Sequence, residues 1–351
     1  MPQISVPATF YRGGTSRVVL FREADLAAYG PAEQDAIILA ALGSPDPYGR
    51  EVDGLGGGIS SLSKVGIVGL APSDSQADVT FRFGQVDVER PVVEFLGTCG
   101  NISAAIGPFA VDEGMVQPRE PVTIVRVLSV NTGQRYDCHV PVQAGRAEVE
   151  GDYQIDGVPA PGGRIVLQYH QPGGSLGRGV FPTGRPCESV ELSDGRRVEV
   201  SIVDAANPMV FVRASELAAT AIELPAAIDA DPTLHAALEE VRDHAAVRVG
   251  LASNLAEAHD RAKAIPKVVM VASPATYQTT RGWTVDAERV DLVARMLSMG
   301  KAHRTMAGTA AICTAVAASL DGTLVREVAR PVDGTVRIGH AAGVLEIGVE
   351  V

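Results

Sequence analysis

Two stretches of this chain are almost free of charge on every side, and they begin alike. The first opens at Gly100-Asn101 and reaches Gly114, and the second opens at Gly308-Thr309 and reaches Gly322, the same step from glycine to glycine. A surface helix keeps a polar face, so a helix that is apolar or small all round must be buried on every side. Ser103, Ala104 and Ala105 in one stretch, and Ala310, Ala311 and Ala315 in the other, are small enough to let sheets approach closely. We read the chain as two homologous halves, each wrapped around one central helix. Its 351 residues exceed the size at which a single core keeps growing, which also favours two domains. The expected division is 1–185 and 186–351, with the active site in the cleft between them.

Around these helices the sequence predicts an α+β fold with mixed or antiparallel sheets, because helices and strands do not alternate regularly. Val18 to Phe21, Val65 to Leu70, Val79 to Phe83 and Val122 to Val127 have the β-branched content and turn-rich flanks of strands. Pro31 to Leu42 reads as a helix opened by proline and closed by Gly43. Ala287 to Met299 reads as another, capped by Asp286 and stopped at Gly300, and Pro232 to Val249 as a long amphipathic one.

Composition narrows the function. A net charge of -12 opposes nucleic acid and anionic membranes over most of the surface, so neither is expected as a partner. No apolar run approaches the roughly 20 residues of a membrane span, and the first residues lack a signal-peptide layout, so a cytoplasmic protein is expected. Cys99, Cys138, Cys187 and Cys313 are far apart with no C-x-x-C pair, which argues for free thiols rather than a zinc site or disulfides. No metal or cofactor is expected. The glycines at 56 to 58 lack the Gly-Lys-Ser/Thr ending of a phosphate loop, and no spacing pairs His139, His303 or His340 with a cysteine as a hydrolase would require.

The helix starts carry the chemistry. The first N–H groups of a buried helix have no intrahelical partners and, with the dipole, favour an anion. Asn101 and Thr309 can cap these helices or donate to a ligand, and together the two starts suit a substrate with several carboxylates. Cys99 stands immediately before the first helix, where the dipole favours an anion, making it a candidate proton carrier. Its counterpart before the second helix is Ala307, so the halves lack the matched thiols of a two-cysteine racemase. Lysine is scarce: residues 64, 263, 267 and 301 are the only four among 30 basic residues. Arginine stays protonated, whereas a desolvated lysine can shed its proton, and Lys64 lies between a glycine run and an apolar strand. Two unlike groups, an amine and a thiol, are the expected proton-transfer pair.

Tyr11-Arg12-Gly13-Gly14-Thr15-Ser16, Ser60-Ser61-Leu62-Ser63-Lys64, Thr98-Cys99-Gly100-Asn101, Pro182-Thr183-Gly184, Asp204-Ala205-Ala206-Asn207-Pro208, Pro266-Lys267-Val268 and Ser298-Met299-Gly300-Lys301-Ala302-His303 with Gly308-Thr309 resemble, in that order, the PrpF family. The family contains 2-methylaconitate cis-trans isomerase, 4-oxalomesaconate tautomerase and methylitaconate isomerase, on the diaminopimelate epimerase fold of two pseudo-equivalent domains. The resemblance implies a cofactor-independent isomerase that moves a proton along the allylic system of an unsaturated di- or tricarboxylate. A small anionic substrate and a dimer or tetramer go with it.

By the same resemblance Lys64 and Cys99 are the catalytic pair. Arg12, Gly14, Thr15, Ser16, Ser60, Ser61, Ser63, Gly100 and Asn101 match stretches that bind substrate, with Lys267, Lys301, His303, Gly308 and Thr309 from the second half. Two departures bear on substrate identity: His340-Ala341-Ala342-Gly343 replaces His-Pro-Ser-Gly, and Arg17 replaces a lysine. Which of Lys64 and Cys99 is base and which acid stays open, as does the choice between cis-trans isomerisation and a double-bond shift. The segment from Gly300 to Ala311 is closest to the methylaconitate branch.

Overall fold

The computed structural model describes residues 3–350. The chain divides into two compact units, Met1–Gln171 and Pro172–Val351. The segment 172–185 goes with the second unit because Gly173 bridges Ala205, and the Ser175 hydroxyl and Leu176 N–H both bond the carboxylate of Asp204.

The first unit contains strands β1 (Thr9–Gly13), β2 (Ser16–Arg22), β3 (Lys64–Leu70), β4 (Val79–Val86), β5 (Val93–Glu94), β6 (Val122–Ser129), β7 (Arg135–Gln143), β8 (Arg146–Ala147) and β9 (Val166–Tyr169). Its helices are α1 (Glu23–Leu26), α2 (Pro31–Leu42) and α3 (Gly100–Asp112). The sheet runs β1-β2-β3-β4-β6-β7-β8, with β5 on β4 and β9 on β7. Pairing is antiparallel for β1·β2, β3·β4 and β6·β7 and parallel for β2·β3 and β4·β6.

Strand alternation divides this sheet between two cores. Val18, Leu20, Val68, Phe81 and Phe83 face α3, where they meet Ile102, Ile106 and Phe109. Val19, Phe21, Val65 and Ile67 face the other way, onto Leu26, Ile38 and Leu42 of α1 and α2. Each such fully buried side chain contributes about 1.5–3 kcal/mol. The ends of α2 follow the sequence: Pro31 opens it, the Glu33 carboxylate accepts the Gly30 N–H at 2.8 Å, and Gly43, at φ 79°, closes it in the left-handed region.

The second unit contains β10 (Glu188–Glu191), β11 (Arg197–Ala205), β12 (Asn207–Arg213), β13 (Lys267–Ala272), β14 (Tyr277–Gln278), β15 (Thr284–Val285), β16 (Leu292–Ser298), β17 (Lys301–Ala302), β18 (Thr335–His340) and β19 (Gly343–Gly348). Its helices are α4 (Pro225–Ala230), α5 (Pro232–Arg248), α6 (Leu255–Arg261), α7 (Gly308–Ser319) and α8 (Leu324–Val328). The main sheet runs β10-β11-β12-β13-β16-β18-β19. From β11 onward the polarity is antiparallel, parallel, antiparallel, parallel, antiparallel, the same series as from β1 to β7 in the first unit. Here α7 packs on one face, against Phe211, Val269, Ala294 and Ile338. Leu234, Leu238 and Val241 of α5 pack on the other, against Val210, Val268 and Val293.

The expected helix at 287–299 does not form. Residues 287–289 make a single 3-10 turn, and Leu292–Ser298 is strand β16, buried at every position. A strand covered on both faces has no polar side to reveal its period, and an unbroken apolar run reads equally well as a buried helix. Both glycine-led helices, by contrast, form where expected and are the central helices of their units. No helix among the described residues is long and apolar enough to cross a membrane.

Candidate active site

The first unit gathers its candidate residues where the β1–β2 turn, the start of β3 and the start of α3 meet. Gly14 takes φ 51° in the turn. A Cβ on Gly13 would stand 2.2 Å from the Asn101 carbonyl oxygen, and one on Gly14 would stand 2.7 Å from the Asn101 side-chain oxygen. The two glycines therefore let the hairpin lie directly on the helix start. The Asn101 amide donates to the hydroxyls of Thr15 at 2.9 Å and Ser16 at 3.2 Å. Arg12 is exposed and folds back onto the Gly14 carbonyl at 2.9 Å.

Cys99 is the buried residue before α3 and contributes no side-chain cap. The first intrahelical bond runs from Ser103 N to Cys99 O. The N–H groups of Gly100, Asn101 and Ile102 therefore precede the ladder and carry the positive end of the helix dipole.

Lys64 opens β3 on the face that looks toward α3 and is buried. Its amine donates to the side-chain carbonyl of Gln85, its register partner on β4, and lies 5.2 Å from the centre of the Phe83 ring. Among the described residues no carboxylate pairs with it. Burial lowers the ammonium pKa from its usual range, and the Cys99 thiolate opposes this in part.

The loop that leads into Lys64 is tied to Glu51, a buried carboxylate that accepts the Gly58 N–H at 2.7 Å and the Ser63 hydroxyl. Ser60 and Ser61 on this loop are half-buried, and the Ser61 carbonyl accepts the Arg17 N–H at 3.0 Å. A pocket of about 360 Å³ lies beside the hairpin, lined by Arg12, Gly13, Gly14, Ala104, Pro108 and Tyr153 among others. Neither Lys64 nor Cys99 lines it.

In the second unit, Gly308 and Thr309 open α7, and the Thr309 hydroxyl accepts the Asn207 amide at 3.3 Å. Lys267 opens β13 and donates to the Ala264 carbonyl at 2.6 Å. His303 is buried, with its Nδ1 accepting the Thr305 N–H at 3.2 Å, whereas Lys301 is exposed on β17.

The other cysteines are core or half-buried residues. Burial pushes the thiol of Cys138 up to about 12 and that of Cys313 higher still, which makes both inert. Glu239, Asp243 and His259 come within 4.8 Å of one another, a set able to hold a metal ion. The Arg242 guanidinium bonds both carboxylates, so a cation already balances them.

Sequence reasoning missed Gln85, Phe83 and Glu51. The signal for Gln85 was present in β4: Val79, Phe81, Phe83 and Gln85 alternate onto one face, and an amide at the end of such an apolar series calls for a buried polar partner. Naming that partner needed the β3–β4 register.

A family model described as PrpF protein matches residues 3–351. The chain belongs to the PrpF family. The 2-methyl-aconitate isomerase of Shewanella oneidensis is 40% identical, over 99% of this chain and 90% of that protein. A crystal structure of a methylitaconate-delta-isomerase superposes with a TM-score of 0.80 at 39% identity, covering 99% of this chain and 89% of that one. A probable proline racemase from Agrobacterium radiobacter matches with a TM-score of 0.52 at 13% identity, which speaks for the fold alone. The fold of this PrpF protein is of the diaminopimelate epimerase type.

Proposed function

We propose that this protein is an isomerase of unsaturated di- and tricarboxylates that works by allylic proton transfer, with a 2-methylaconitate-like acid as substrate. The observation that carries this reading is a buried lysine held by a neutral amide on the sheet face that looks toward a helix begun by a cysteine. A lysine with its ordinary pKa is almost wholly protonated at neutral pH, and desolvation without a carboxylate partner raises the fraction able to accept a proton.

In the proposed step the Lys64 lone pair takes a proton from the allylic carbon and becomes an ammonium. The electrons of the broken C–H bond spread into the conjugated carboxylate as a dienolate. The N–H groups at the start of α3 and the hydroxyls of Thr15 and Ser16 support the charge that builds on its oxygens. Return of the proton from Lys64 restores the protonated carbon and the free amine. Delivery from Cys99 instead leaves an ammonium and a thiolate, and a proton passed from Lys64 to Cys99 through solvent then resets both groups. Rotation about the weakened carbon–carbon bond before reprotonation gives the cis-trans isomer, and return at the far end of the allyl unit gives the shifted double bond. Proton transfer of this kind draws on protein groups and solvent alone.

The relative named 2-methyl-aconitate isomerase supports the cis-trans outcome, and the solved methylitaconate-delta-isomerase keeps the double-bond shift as the second reading. Incubation with 2-methylaconitate and methylitaconate in D2O, followed by NMR, tests both. The expected result is deuterium at the allylic position together with geometric isomerisation. An enzyme that leaves both acids unexchanged overturns the proposal.

A further inference from the structure

The contacts of Gln85 serve two sides at once. Its Oε1 accepts from the Lys64 amine at 2.5 Å, while its Nε2 donates to the carbonyls of Ser63 at 3.0 Å and Ser60 at 3.1 Å, with Val86 O at 3.3 Å. Those carbonyls fix the orientation of the amide. Turned over, it would set its oxygen against the backbone oxygens and lose the bonds to Ser60, Ser63 and Val86. A carboxylate of the same shape could accept from the amine, but its second oxygen would face the same carbonyls. Only a neutral amide satisfies both sides.

We propose that Gln85 is a positioning residue for Lys64: a neutral acceptor that fixes the amine, and couples it to the substrate-binding serine loop, without giving it a counter-ion. This rests on the reading of Lys64 as the proton carrier. One amine hydrogen is held by the amide, which removes free rotation about the terminal bond and leaves the nitrogen lone pair for the carbon acid. The same amide holds the Ser60 and Ser63 carbonyls, so the loop that carries Ser60 and Ser61 and the base are set by one side chain. The ionisable groups on the neighbouring segments are Cys99 before α3, Glu94 opposite Gln85 on β5, and, against the loop that leads into β3, Arg17 and Glu51. Glu51 spends its carboxylate on Gly58 N–H and the Ser63 hydroxyl, and Arg17 reaches the Gly56 carbonyl.

Four lysines make the test direct, because ε-carbon-13 lysine labelling yields few signals and Lys64→Met identifies the one that matters. The variant Gln85→Glu supplies a counter-ion. Its Lys64 signal is expected to titrate at least about one pH unit above the wild type, and the acid limb of the D2O-exchange rate should move by the same amount. Gln85→Met removes the acceptor without adding charge. It is expected to lower kcat by about tenfold or more with no upward shift of the titration, and any rise in KM reports the released serine loop. An unmoved titration in Gln85→Glu, or a wild-type kcat in Gln85→Met, overturns the role assigned to Gln85. If Lys64→Met abolishes exchange while Gln85→Glu moves nothing, Lys64 remains the carrier and Gln85 alone is discarded. Exchange that survives Lys64→Met discards both.

Discussion

The two units place different chemistry at matching positions of one topology. Lys64 and Lys267 both open the strand that pairs in parallel with the second strand of a hairpin, β2 in one unit and β12 in the other. Lys64 faces Gln85 in its antiparallel register, whereas extending the register Val269↔Met296 by two residues puts Ser298 opposite Lys267. The first amine is buried against an amide and an aromatic ring, and the second is half-buried and bonded to a backbone carbonyl. Before the central helices, Cys99 matches Ala307. The contact from hairpin to helix is kept with its partners exchanged. In the first unit the amide is on the helix (Asn101) and the hydroxyl on the strand (Ser16), and in the second the hydroxyl is on the helix (Thr309) and the amide on the strand (Asn207). A repeated scaffold thus preserves geometry by compensating changes, while the fully buried lysine and the cysteine before the central helix stand in one copy.

The sharpest way to break this contrast is to remove each lysine in turn. Lys64→Met is expected to lower allylic exchange by about 10²–10⁴-fold, the usual contribution of a general base. Lys267→Met should leave the rate of exchange on saturated enzyme within about tenfold and act mainly through KM. Equal losses of kcat in both variants would erase the functional asymmetry.

The hairpins differ in how closely they approach their helices. Gly13→Ala drives a Cβ into the Asn101 backbone and is expected to destabilise the fold by about 3 kcal/mol, read from urea unfolding. Ala205, which closes the matching strand of the second unit, already carries a Cβ without exposure. A Gly13→Ala protein as stable as the wild type would show that the first hairpin has the same room.

Acid should probe the second unit selectively. The sheet position that ends β6 with Ser129 ends β18 with His340, whose pKa burial, with Arg295 and His303 nearby, depresses from 6.5 to about 3. Below about pH 6.5 the unfolded chain gains a proton there that the folded chain refuses until about pH 3. This contribution to stability is therefore complete above 6.5 and lost progressively as the pH falls toward 3, by about 2–3 kcal/mol at pH 4.5. His340→Gln keeps an acceptor for the Ala342 N–H and should flatten that part of the acid slope, measured by chemical denaturation at each pH. Parallel slopes in the two proteins would mean that His340 charges freely in the fold.

The smallest expected effects separate structure from binding at the exchanged contact. Asn207→Ala removes a buried amide and should lose about 1–3 kcal/mol of stability. Asn101→Ala, at a half-buried position, should lose about 1 kcal/mol or less and raise KM instead. The reverse ranking would make the Asn101 contact the structural one.

Much of this was legible in the order of residues. Uncharged, small-residue runs between glycines could be stable helices only at the centre of a domain, so α3 and α7 and the two-fold plan followed from patterning alone. A lone cysteine at a helix start and a scarce lysine after a glycine loop stood out as candidates through residue type, and the structure buries both. Strand β16 was not legible, because burial on both faces removes the periodic signal. Nor were Gln85 and Glu51, whose significance lies in contacts to Lys64 and to Gly58 and Ser63. Local sequence determines what a segment must bury and which groups can ionise. Strand register decides which neighbour a buried group meets, and hence whether the Lys64 amine rests against a carboxylate or, as here, an amide.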